Sequence, residues 1–336
     1  MGKTFIVAEM SGNHNGSLKK AVEIIKAAAA AGADAIKLQT YTADTLTLDC
    51  RKPEFMTNPN GPWAGRTAYS LYQEAHTPWE WHGELFRVAR EEGLVCFSSP
   101  FDRTAVDFLE TLGNPIYKIA SPEITDIPLL EYVASKAKPV VLSSGIATKD
   151  DISLALDTLR ASGCNDITLL KCTTAYPTPL EECDLRMIPV FAQTFGVKAG
   201  LSDHTLGSLA AVVAASLGAT MIEKHFIIDR SEGGPDSAFS MDKDEFAAMV
   251  RDVRTVEKVL GRDSFEPSAS SIAGRRDARS LYVAKEMKAG DTVDETNLRS
   301  VRPGFGLHPK YYSQCLGRRV NRDLHVGDPF SLDYLD

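Results

Sequence analysis

The sequence predicts an α/β fold, a (β/α)8 TIM barrel followed by a small, mostly β C-terminal domain, and three observations carry that expectation. Eight short apolar runs each give way to a helical pattern, and eight parallel strand-helix units are what a closed barrel needs. Those runs end in polar side chains, among them Glu9, Lys37, Gln39, Lys118, Glu123, His204 and His225, which parallel strands would gather on one face. The alternation then stops at Gly261, where a Ser/Ala/Pro/Arg-rich stretch begins. A doubly wound open sheet fits less well, because SGNHNGS after the first strand lacks the spacing of a G-x-G-x-x-G turn.

Taken in order, the first strand is expected over residues 4–10, and Ser17 caps a helix over 18–31. A second strand covers 35–40. Residues 41–77 show little periodicity, and so long a connection in a compact domain reads as a lid or binding loop. Regular alternation follows: helix 78–92, strand 94–98, helix 103–112 capped by Asp102, strand 116–120, helix 128–135, strand 140–143 and helix 150–162. Strand 167–172, helix 185–195, strand 197–201, helix 206–217, strand 221–226 and helix 243–260 complete the set. Residues 1–260 thus form the barrel, 261–276 a linker, and 277–336 the small domain. Within that domain VAKEMKAGDTVDETNL from Val283 and VNRDLHVGDPFSLDYL from Val320 align without a gap, an internal echo that implies a pseudo-symmetric module.

Composition narrows the function. The chain of 336 residues is 43% apolar and carries a formal net charge of -8, which argues against a nucleic-acid backbone as partner. Six scattered cysteines without a C-x-x-C pair fit a reducing compartment and read as buried free thiols. The N-terminus runs straight into a strand, and no run is long enough to span a bilayer, so a soluble cytoplasmic protein without a membrane partner is expected.

Strand periodicity sorts the polar residues. Alternate side chains share a face, so Lys37 pairs with Gln39, Ser202 with His204, and Glu223 with His225. Two histidines at the mouths of neighbouring strands suit a divalent metal, although two ligands alone make an open site. Lys37, Lys118, Lys171 and Lys224 lie near strand ends, where a lysine can bind phosphate or carboxylate, form a Schiff base or pair with a buried acid. With Ser98, Ser99, Ser121, Ser143, Ser144 and Ser202 they resemble a cradle for a small anion, although many of these serines would serve as strand-end caps. Glu9 and Glu123 could act as acid or base, or merely neutralise a lysine. The Asn13-His14-Asn15-Gly16 turn and the indoles of Trp79 and Trp81 could meet a ligand, or could be turn and core.

Several segments, IVAEMSGNHNGS, IKLQTYT, FSSPFD, YKIASPEITD, SSGIAT, LLKCTTAYPTP, GLSDHTLG, IEKHFIIDR, GGPDSAFS and RPGFGL, resemble in order those of the sialic acid (nonulosonic acid) synthase family. TYTADTLT, TPWEWH, GGPDSAFS and RPGFGLHPKY are most similar to the pseudaminic acid synthases within it. The resemblance implies condensation of phosphoenolpyruvate with an N-acetylated amino sugar, here 2,4-diacetamido-2,4,6-trideoxy-L-altrose. It also implies a C-terminal antifreeze-like (SAF) domain that covers the partner's site in a homodimer, and a divalent metal, Mn2+ or Mg2+, on His204 and His225. Phosphoenolpyruvate would lie against Lys37, Lys118, Ser121, Ser143 and Ser202. The sugar would meet Glu9, Gln39, Tyr176, Asp236 and, from the neighbouring chain, Arg302, with Glu123 as acid/base.

Thr174 stands where N-acetylneuraminate synthases commonly carry Asn, and Ser237 where they often carry His, departures that weaken N-acetylneuraminate as product. Lys171 stands where relatives can have His, which argues against an obligatory Schiff base there. The alternatives are an N-acetylneuraminate or legionaminate synthase, a Schiff-base aldolase and a non-catalytic sugar-binding protein.

Overall fold

The computed structural model describes residues 2–61 and 63–336, and the chain divides into two compact units, Met1–Gly261 and Arg262–Asp336. In the first unit eight parallel strands close into a barrel in sequence order. They are β1 (Phe5–Glu9), β2 (Ala35–Thr40), β3 (Val95–Pro100), β4 (Tyr117–Ile119), β5 (Val140–Ser143), β6 (Ile167–Cys172), β7 (Lys198–Asp203) and β8 (Met221–His225). The barrel closes where β1 pairs with β8, from Phe5 beside Met221 to Glu9 beside His225.

The helices form for local reasons. Helix α1 (Leu18–Ala30) buries Ala21, Ile24, Ile25 and Ala28 at helical spacing, and the Ser17 side chain accepts from the Lys20 amide at its N-terminus. After β2 come α2 (Ala43–Leu46) and α3 (Ala68–Ala75), so the segment expected to lack periodicity contains two helices. Its eight-residue α3 buries only Leu71, too small a stripe for periodicity to reveal. Next come α4 (His82–Glu91), α5 (Arg103–Thr111), α6 (Ile127–Ala134), α7 (Lys149–Ala161), α8 (Met187–Phe195), α9 (Leu209–Ser216) and α10 (Lys243–Val259). Asp102 caps α5, and Thr148/Asp151 and Asp242/Glu245 form capping boxes on α7 and α10.

The barrel interior explains where the chemistry sits. Val7, Ala35, Phe97, Val141, Leu170 and Met221 form a buried apolar layer across it. Two residues further along the same strands, and therefore on the same inward face, stand Glu9, Lys37, Ser99, Ser143, Cys172 and Glu223. One pleat thus separates a dry plug from a wholly polar or thiol-bearing layer. Gly200 lets β7 close against β8 at the plug level, since a Cβ there would lie 2.3 Å from the Met221 carbonyl oxygen. The outward face, including Ile6, Ile36, Leu38, Leu142, Leu169 and Ile222, packs against the helices, each such side chain contributing about 1.5–3 kcal/mol.

The second unit takes in the segment expected as a linker: residues 262–276 cluster with it, and α11 (Ala269–Gly274) lies there. Its one two-stranded antiparallel sheet joins β9 (Ser280–Val283) to β10 (Leu298–Val301), and α12 (Tyr312–Cys315) follows. The sequence echo is also a structural one. Equivalent residues Met287 and Leu324 pair with each other. Val283 donates to the Asp328 carbonyl at 3.0 Å while Val320 donates to that of Asp291 at 2.9 Å. The two copies clasp around a local twofold, and their apolar residues, among them Val283, Met287, Val320 and Leu324, make a single core.

Candidate active site

At the C-terminal ends of the strands one network spans the barrel mouth. The Lys37 ammonium stands 2.6 Å from Glu9 Oε2 and 3.7 Å from Glu223 Oε1. Gln39 donates to Glu9 Oε1 at 2.9 Å and to the Ser11 hydroxyl at 3.1 Å, while Ser202 donates to Glu223 at 3.2 Å. Asp236 accepts from the Gly12 amide at 3.2 Å. Lys118 donates to Ser143 Oγ at 2.7 Å and to the Ile119 carbonyl at 3.1 Å.

Burial sets the charges. It raises the Glu9 carboxyl against the pull of Lys37, whereas for Glu223 the burial penalty is outweighed by the charges of Lys118 and Lys37, which hold it ionised. Burial likewise opposes the Lys37 charge, but Glu223 and Glu9 push its ammonium above the ordinary value. Lys118 has less compensation, and burial lowers it. The layer therefore offers two amines set against the acidic side chains of Glu9 and Glu223, with lysine N–H donors suited to receiving an anion with several charged oxygens.

Ser121 and Glu123 enter from the turn after β4. Ser121 Oγ accepts from the Gly145 amide at 3.0 Å, and a Cβ at Gly145 would come within 2.8 Å of that oxygen, so only glycine lets the two loops meet. Burial raises the Glu123 carboxyl to about 7, and its Oε2 is buried without a hydrogen-bond partner. Such a group can hold or release a proton near neutrality. Burial alone would push the Cys172 thiol up, but the neighbouring His204 imidazole brings it down to about 7.

His204 and His225 face one another with ring centroids 5.3 Å apart. His204 Nδ1 lies 2.8 Å from the Thr173 carbonyl oxygen, which fixes that ring. His225 Nδ1 is buried without a hydrogen-bond partner, and burial holds the imidazole well below its usual pKa, hence neutral. A neutral imidazole with an unused lone pair fits a cation. Among the described residues no group of three or more His, Cys, Asp or Glu converges to hold a metal, so an ion here would draw its other ligands from water or substrate. Tyr176 packs 4.4 Å from His204 and Phe239 4.9 Å from His225, centroid to centroid.

Other candidates turn away. Lys224 lies between Glu223 and His225 in sequence and hence points outward; it pairs with Asp203 at 2.7 Å, both side chains 1% exposed. Lys171, equally out of phase, lies in the helix layer 4.0 Å from Asp184. Ser98 bonds Thr40, and Ser144 the Leu170 carbonyl, so neither belongs to the cradle. Asn13 is tied to Phe226 and Ser240, and His14 to Thr77. Trp79 stacks on Phe108 and Trp81 meets His14 edge-on, which makes both packing residues. Arg302 belongs to the second unit. Strand parity separates Lys224, Lys171 and Ser98 from the site, and it adds Cys172, two residues beyond the inward-facing Leu170 on β6.

A family model described as the NeuB family matches residues 24–264, and one described as the SAF domain matches residues 278–335. The chain is 46% identical to a pseudaminic acid synthase of Campylobacter jejuni subsp. jejuni over 97% of its own length and 95% of that protein. Against an N,N'-diacetyllegionaminic acid synthase of Legionella pneumophila subsp. pneumophila the identity is 35%, covering 99% and 94%. Among solved structures, an N-acetylneuraminic acid synthetase from Leptospira borgpetersenii superposes with a TM-score of 0.72 at 30% identity, covering 81% of this chain and 90% of that one.

Proposed function

The chain belongs to the NeuB family, and from that membership we propose that it is a pseudaminic acid synthase, joining phosphoenolpyruvate to 2,4-diacetamido-2,4,6-trideoxy-L-altrose with water to give pseudaminic acid and phosphate. The observation that carries this reading is the 46% identity to a pseudaminic acid synthase over almost the whole chain, against 35% to a legionaminate synthase. The enzyme forms a carbon-carbon bond, and its substrates are phosphoenolpyruvate and an acetylated amino sugar.

The buried amines Lys37 and Lys118, with Ser143, Ser121 and Ser202, bind the carboxylate and phosphate of phosphoenolpyruvate and offset their charge. Glu9, Gln39, Tyr176 and Asp236 orient the sugar. His204 and His225 would hold a divalent cation, Mn2+ or Mg2+, which when bound supplies Lewis-acid polarisation of the sugar aldehyde. The enol carbon attacks that aldehyde carbon, water adds at the phosphate-bearing carbon, and the carbon-oxygen bond to phosphate breaks. Glu123, able to lose a proton near pH 7, orients or deprotonates that water. The apolar plug beneath closes the site from below.

The functional unit in this reading is a cytoplasmic homodimer in which Arg302 of the partner subunit meets the sugar. The match of residues 278–335 to the SAF domain supports it, and no helix among the described residues is long and apolar enough to cross a membrane. Phosphate release with the diacetamido-trideoxy sugar, N-acetylmannosamine and the legionaminate precursor, each with phosphoenolpyruvate, tests the function. The first should give the highest kcat/KM; a higher value for either of the others would overturn it.

A further inference from the structure

Three aromatic rings gather on one side of the histidine pair, and one of them comes from the segment after β2. Trp63 lies 5.8 Å from Tyr176 and 6.3 Å from Phe239, which are themselves 5.0 Å apart, centroid to centroid. Tyr176 and Phe239 contact His204 and His225 respectively. The only polar group of the Trp63 side chain, its indole N–H, donates to the Pro235 carbonyl at 2.8 Å, next to Asp236. That bond pins a residue of the long connection to the β8–α10 loop, which carries Phe239. Phe239 is almost wholly buried, while Trp63 and Tyr176 are each partly exposed. The edge of the mouth is therefore a stiff apolar surface backed by Phe239. It borders the imidazoles of His204 and His225.

Such a division sorts a substrate by its own polarity. A ligand carrying only hydroxyls would gain little from the indole, whereas one carrying methyl groups would bury them there and keep its carbonyl end over the imidazoles. We propose that Trp63, supported by Tyr176 and Phe239, is a specificity-determining residue that selects deoxygenated, methyl-bearing amino sugars over their hydroxymethyl counterparts. The proposal rests on the function stated above, whose sugar carries a C6 methyl and two acetamido methyls. The indole also reaches the site from outside the strand ends, where it can shape the sugar's periphery without touching the phosphoenolpyruvate cradle around Lys118.

The test compares wild type, Trp63→Ala and Trp63→Phe in steady-state phosphate release with the diacetamido-trideoxy sugar and with N-acetylmannosamine. One methyl contact is worth about 10- to 200-fold in discrimination. Trp63→Ala should raise KM for the diacetamido sugar by about tenfold or more and narrow the kcat/KM ratio between the two sugars. KM for phosphoenolpyruvate should stay within twofold, and Trp63→Phe should recover part of the ratio. An unchanged ratio in a folded Trp63→Ala, checked by circular dichroism and thermal melting, overturns the proposal, as does an equal rise in KM for both substrates. Should Trp63→Ala fail to fold, an unchanged ratio in Trp63→Phe together with Trp63→Leu overturns it. Wild type that favours N-acetylmannosamine would instead refute the underlying function, a result visible before any variant is made.

Discussion

The Lys37 ammonium sits 2.6 Å from the Glu9 carboxylate, with both side chains at 5% exposure or less, and the second carboxylate of Glu223 stands 3.7 Å away. Removing the amine leaves two acids facing each other in a dry layer. Lys37→Met should lose about 3–5 kcal/mol of stability, the usual consequence of orphaning a buried charge, together with nearly all activity. Glu9→Gln keeps a hydrogen-bonding group for Gln39 and should cost less. Urea unfolding of the two variants checks the order, and Glu9→Gln proving the less stable would contradict the charge assignment.

The two imidazoles should be separable from the fold. His204→Ala and His225→Ala should each abolish phosphate release while leaving the circular dichroism spectrum unchanged. Wild type stripped with a chelator should be inactive, and Mn2+ or Mg2+ should restore it. Full turnover in a rigorously stripped sample would remove the metal assignment.

Glu123 should shape the pH dependence. With its carboxyl at about 7, kcat should carry a limb near that pH, activity rising as the base form appears. In Glu123→Gln the limb should vanish and kcat fall by about 10²–10⁴. The stability sign runs the other way. A carboxyl raised in the folded state favours folding fully only below its unfolded value near 4.5, and that contribution is lost as pH rises through about 7. Wild type should therefore lose stability relative to Glu123→Gln across that window, by a few kcal/mol on the order of 1.4 per pH unit. Parallel urea curves at pH 5 and pH 8 would measure it.

Lys224 and Asp203 predict a contrast. Their pair is as buried as any in the site but lies on the outward face, with Lys224 also donating to the Thr205 carbonyl at 2.7 Å. Lys224→Met should destabilise by about 3–5 kcal/mol while the folded fraction keeps both KM values. A changed KM for phosphoenolpyruvate would return Lys224 to the cradle.

Much of this architecture was readable along the chain. Eight alternations fixed the barrel, because a strand buried on both faces and a one-sided helix leave different apolar periods. Ser17 and Asp102 marked helix starts, since only certain side chains can take up the free amides of a first turn. Parity paired Glu223 with His225 and Lys37 with Gln39. The same parity sets Lys224, Lys171 and Ser98 on the opposite face, although residue type alone would place them in a cradle with Lys37 and Lys118. Trp63 carried no such signal: it lies in the long connection between α2 and α3, and nothing local tells an indole which loop it will meet.

The amino-acid order by itself determined the barrel, the inward face of each strand and the presence of a histidine pair on adjacent strands, because these follow from local periodicity and from the closure of parallel units. Only the tertiary structure decided which acids share Lys37, how high the Glu123 carboxyl rises, and that Trp63 leans against Tyr176 and Phe239. Those are consequences of burial and of distances between residues far apart in the chain, and both come into being only when the barrel has closed.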